Sequence, residues 1–157
     1  MKFAIYTKYT LDEYILYNKV VGERIYNAKR SRYILFAVYF ILIIVFSLMK
    51  EYIMAFVIVI VCALVVIISK KIAENNIKNA YETNIIMKNA DVYYKFYDDR
   101  VEVTSPKGIE IVEYSKIYKI IENDTNIYIM LGQNIGFIIS KKNCNDDEIE
   151  FIKHIHK

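Results

Sequence analysis

Residues 33–69 form a run of 37 in which Lys50 and Glu51 are the only charges. Read as one helix, at about 1.5 Å per residue, the run would be about 55 Å long against a hydrocarbon core of about 30 Å. It would also hold a charged pair at mid-bilayer, at a cost of several kcal/mol. Read as two, it gives Tyr33–Met49, 17 uncharged residues, and Tyr52–Ser69, 18. Each reaches the lower part of the roughly 17–25 residues that span a bilayer. Lys50 and Glu51 then form the turn between two spans, with Tyr52 and Tyr33 at opposite interfaces where aromatic belts sit. Two helices of a soluble bundle would need a polar stripe, and these runs are Ile, Val and Leu on every face. The expectation is a transmembrane hairpin at 33–49 and 52–69.

The flanking charges orient it. Lys29, Arg30 and Arg32 precede the run and Lys70, Lys71 and Lys78 follow it, whereas the turn carries one Lys and one Glu. By the positive-inside rule both termini are expected in the cytoplasm, in a two-span protein of the inner membrane. The few residues of the turn are too little chain for a receptor or a catalytic site. Residues 1–32 contain no apolar h-region, so no cleaved signal peptide is expected and the first span serves as the insertion signal. Net charge is +3 with no long basic run, which disfavours nucleic acid and leaves the lipid bilayer as the evident partner. Lys29, Arg30, Arg32, Lys70 and Lys71 are the candidate contacts, either as snorkelling topology determinants or as ligands for an anionic headgroup.

Outside the apolar run the chain has ordinary charge density, so the average of 55% hydrophobic and 25% charged residues describes two different materials. Residues 1–32 read as a short strand, KFAIYTKY, and a helix from about 11 to 30 that continues toward the first span. Thr10 and Glu13 have capping-box spacing at its start. Residues 70–90 read as a juxtamembrane helix extending the second span and breaking near Asn89. From residue 91 short β-rich runs alternate with turn residues: Asp98-Asp99, Pro106 to Gly108, NDTN and GQN. Asn145 and Glu148 then cap a last helix with Ile149, Ile152 and Ile155 on one face. The fold class is α+β: a transmembrane α-helical hairpin joined, at 91–157, to a small antiparallel barrel or sandwich of about six or seven strands with a C-terminal helix.

Four stretches carry a family resemblance: YTLDEYILYNK before the hairpin, FYDDRVEVTSPKG, IVEYSKIYKIIE and GFIISKKNC. Together they resemble the YcxB-like family of bacterial membrane proteins, whose C-terminal domain is pleckstrin-homology-like. Tyr114 stands where the family often has Trp, and Ser140 replaces the Pro that usually precedes the lysine at 141. The resemblance implies a fold and a membrane setting and no known reaction. Related bacterial proteins are sometimes linked to protection against membrane-active peptides.

Catalytic constellations are not evident. Asp98 and Asp99 read as turn formers, and Asp146, Asp147 and Glu148 as first-turn carboxylates that complement a helix dipole. His154 and His156 diverge on a helix and have no further ligands in sequence, so no metal is expected. Cys62 lies in a span and Cys144 has no histidine beside it; the four glycines form no phosphate-cradling motif. The reading is a non-enzymatic membrane protein without cofactor or evident small-molecule substrate. It presents a cytoplasmic domain to a protein partner or to its own copy, with protection against amphipathic peptides or headgroup recognition as alternatives.

Overall fold

The structure is a computed structural model and describes residues 1–26 and 28–155, with the side chains of Ala28 and Lys29 excepted. Among the described residues, seven strands form two antiparallel sheets. The first has the order β1-β2-β3-β4, with β1 Phe3–Lys8, β2 Asp91–Phe96, β3 Arg100–Ser105 and β4 Gly108–Glu113. The second has the order β5-β6-β7, with β5 Lys119–Glu122, β6 Asn126–Met130 and β7 Gly136–Ser140. Helix α1 (Leu11–Arg24) follows β1, α2 (Ala28–Leu48) and α3 (Tyr52–Thr83) form the apolar hairpin, and α4 (Asp146–His154) closes the chain. The fold is α+β, as its sequence pattern implies.

The N-terminal strand finds its partner at the far end of the insertion. β1 pairs with β2 along its whole length, from Phe3 opposite Phe96 to Lys8 opposite Asp91. All three helices α1–α3 are therefore inserted between two neighbouring strands of one sheet. Period-two alternation sends Ile5 and Thr7 of β1, Val92, Tyr94 and Phe96 of β2, and Val101 and Val103 of β3 into a common core. β6 is buried at every position, the pattern of a strand covered on both faces. α1 lies over one of those faces, its Tyr17 ring 5.6 Å from that of Tyr128.

The two sheets do not close into a barrel by backbone pairing. Side chains of β1 and the residue after it bridge the seam to β7 instead. Ser140 N–H donates to Thr7 Oγ1 (3.1 Å) and Ile138 N–H to the Tyr9 hydroxyl (2.9 Å). The Tyr94 hydroxyl donates to the Ile138 carbonyl (2.9 Å), so its own oxygen accepts from Tyr9 (2.8 Å) and the ring of hydrogen bonds is consistent in every proton. Burial pushes both phenols above their ordinary value, which keeps them protonated as the ring requires. Tyr94→Phe removes a hydroxyl at 0% exposure and leaves the Ile138 carbonyl unpaired. A loss of about 1–3 kcal/mol is expected, read as a melting temperature several degrees lower with an unchanged circular-dichroism spectrum.

The helix boundaries follow from caps. Thr10 Oγ1 accepts from Glu13 N–H (3.3 Å), but the Glu13 carboxylate turns to the Asn126 side-chain amide instead of back to the cap. α1 ends at Arg24 rather than running to about residue 30. Ile25 stays packed on the core, whereas the chain from Ala28 leaves it as an exposed apolar helix, so the two cannot share one axis. α3 extends past Ser69 to Thr83 and stops earlier than the expected break near Asn89. Asn84 Oδ1 accepts from Met87 N–H (3.3 Å) there, and Asn89 itself takes a left-handed φ of 54°. α4 has both halves of the capping box: Glu148 N–H to Asn145 Oδ1 (2.8 Å) and Asn145 N–H to Glu148 Oε2 (2.9 Å). It buries Ile152 and sets Phe151 edge-on to Phe3 at 5.3 Å.

Candidate functional site

The apolar run breaks at the charged pair. Glu51 N–H bonds the Phe46 carbonyl (2.9 Å) and Lys50 N–H the Ser47 carbonyl (3.1 Å), with Lys50 at φ 62°. This is a Schellman termination in which lysine occupies the left-handed position usually given to glycine. α2 and α3 pack on each other, and residues 30–48 and 52–83 are both long and apolar enough to cross a membrane.

Of the candidate basic residues, Arg30, Arg32, Lys70 and Lys71 are exposed, and the side chain of Lys29 lies outside the described residues. Each lies some 18–21 residues from Lys50 along its own helix, about 27–32 Å of rise, which puts them at a similar level of the hairpin. Arg32 Nη2 is 4.0 Å from Glu23 Oε1, tying the first turns of α2 to the end of α1.

The polar residues weighed for chemistry have structural surroundings. Asp98 faces Lys2 Nζ (3.1 Å) and Asp99 faces Arg100 (3.3 Å), both in the exposed β2–β3 turn. His154 Nδ1 lies 2.8 Å from the Glu150 carbonyl; His156 lies outside the described residues. The Cys144 thiol donates to the Ser140 carbonyl (3.4 Å), and burial, with the charge of Glu148, pushes it up to about 11. A thiol so shifted is a poor nucleophile at neutral pH. Among the described residues no three His, Cys, Asp or Glu side chains gather at a possible metal position.

Two surfaces among the described residues bear on binding. The first is β4, the edge of the four-stranded sheet, where Ile109 is 68% exposed and Ile111 61%. Both lie on the outer face of the sheet, while Val112 is the strand's one buried residue. The second is a cavity of about 200 Å³ lined by Tyr9, Tyr14, Tyr17 and Tyr81 among others, where α1, the end of α3 and the β6–β7 loop meet. The richness in tyrosine, 15 residues, was visible in sequence, but their convergence depends on the β1–β2 pairing that brings residue 9 to residue 81.

Residues 96–155 match the family of YcxB-like proteins. No curated protein and no solved structure matches the chain significantly. The segment matched to the YcxB-like family begins at the last residue of β2, so it omits β1 and α1, which fill the same core here. It includes the exposed edge β4 and the capped helix α4.

Proposed function

We propose that this chain is a non-enzymatic membrane protein that holds its YcxB-like domain at the cytoplasmic surface and uses the β4 edge to bind an extended segment of a protein partner or of a second copy. The carrying observation is the β4 edge itself: six residues of free strand edge with two isoleucines turned outward, beside strands whose apolar residues are packed inward. Edge strands left open in this way are aggregation hazards that proteins usually blunt, or binding sites to which a peptide adds as a further strand. Main-chain bonds give such a contact its affinity, and the side chains of Ile109 and Ile111 give it apolar area.

Anchoring in the membrane is supported by the two apolar helices and by the YcxB-like match. Orientation is supported by the excess of Lys and Arg at the open end of the hairpin. The basic residues there act, in this reading, as topology determinants.

A photo-crosslinking residue at Glu110 is expected to capture a protein or a second copy in cells. The pair Ile109→Lys and Ile111→Lys is expected to abolish capture while shifting stability by no more than about 0.5 kcal/mol per site, as exposed substitutions do. Absence of any crosslink from β4, or capture unaffected by the two lysines, would overturn the proposal.

A further inference from the structure

The tyrosine cavity has walls whose polar groups are largely held by the protein itself. Tyr9, Tyr17 and Tyr81 are buried, and their hydroxyls are fixed by the protein itself: Tyr17 donates to the Asn134 carbonyl (3.2 Å), and Tyr81 accepts from Asn89 N–H (3.0 Å). Tyr14 differs. Its ring stands 5.7 Å from that of Tyr81, and among the described residues its hydroxyl has no hydrogen-bond partner. None of the residues lining the cavity carries a formal charge. About 200 Å³ exceeds the roughly 150 Å³ that accepts a benzene ring.

Those properties select the occupant. A carboxylate, phosphate or primary ammonium would lose hydration with no counter-charge among lining residues whose polar groups, Asn84, Asn134 and the phenols, are all neutral. A neutral single ring would instead gain offset or edge-to-face contacts with the phenol rings, and one polar substituent would satisfy Tyr14. We infer that this cavity binds a small neutral aromatic molecule bearing one hydrogen-bonding group, with Tyr14 as the residue that reads that group. Tyr14 and Tyr17 come from the helix entering the insertion and Tyr81 from the helix leaving it, so an occupant ties the hairpin's stem to the sheets. A quaternary ammonium held by cation–π contact is the competing occupant; it is disfavoured because no carboxylate lines the cavity.

The test is titration calorimetry of the full chain in detergent with phenol, toluene and choline, each corrected against empty micelles. Phenol is expected to bind saturably. Tyr14→Phe is expected to weaken phenol about 3–10-fold, the value of one hydrogen bond, and to leave toluene unchanged. Ile135, at the rim and 68% exposed, tolerates Ile135→Trp without loss of fold, and its indole is expected to block both ring ligands. An unchanged thermal melt of each variant confirms that the fold is intact. Phenol heats that do not saturate, phenol affinity indifferent to both substitutions, or saturable choline in place of phenol would overturn the inference.

Discussion

Residues 91–157, expressed without the segment before them, are expected to lack a cooperative thermal transition. They contain six of the seven described strands and the whole YcxB-like match, yet residues 1–26 supply Ile5, Tyr9, Tyr17 and Val21 to the shared core. Burying an apolar side chain of that size contributes about 1.5–3 kcal/mol, so four contribute about 6–12 kcal/mol. The whole stability of an ordinary domain is about 5–15 kcal/mol. The fragment also leaves Ile138 N–H and Ser140 N–H of β7 without the Tyr9 and Thr7 oxygens that accept them. It uncovers the face of β6 that carries Tyr128 as well. Joining residues 1–26 by a flexible linker to 78–157 is expected to restore a sharp transition and dispersed amide resonances. A fragment 91–157 that melted cooperatively near the temperature of the full chain would show that β1 and α1 are dispensable.

The sequence made the strands and turns legible because their signals are local. Val101 and Val103 alternate with Arg100, Glu102 and Thr104, and Asp98-Asp99 and Pro106 to Gly108 fall at the turns that alternation predicts. The same holds for Asn145 and Glu148, whose spacing is the cap. Strand partners are not local. KFAIYTKY shows which of its residues face inward and nothing about a partner beyond the hairpin. The seam between β1 and β7 was hidden for the same reason: Thr7 and Tyr9 hold it with side chains in place of a backbone ladder, so of the two expected forms, barrel or sandwich, the sheets do not close into the barrel. The end of α1 was misplaced because Gly22 and Arg24 give no stop, and the break comes from Ile25 staying with the core. The tyrosine cavity was illegible because its walls come from three distant segments, around residues 9–17, 81–87 and 134–138.

The β1–β2 pairing also bears on the membrane. In a bilayer, strands bonded over six consecutive residue pairs must lie on one side of it, so the chain between them crosses an even number of times. Two helices joined through Met49–Glu51 meet that requirement, and Lys50 and Glu51 then escape the roughly 2.5–3.5 kcal/mol that each charge costs at mid-bilayer. A single crossing would part β1 from β2 by about 30 Å and destroy the core. If the two helices cross a bilayer, this pairing puts the hairpin turn on one side and the four-stranded sheet on the other.

Cysteine labelling of intact cells measures this most directly. In a Cys62→Ala, Cys144→Ala background, Glu51→Cys places a thiol in the hairpin turn and Lys107→Cys one in the exposed β3–β4 turn. A membrane-impermeant maleimide is expected to label the first in intact cells and the second only after permeabilisation. Labelling of Lys107→Cys in intact cells, or protection of Glu51→Cys until the membrane is opened, would contradict the account.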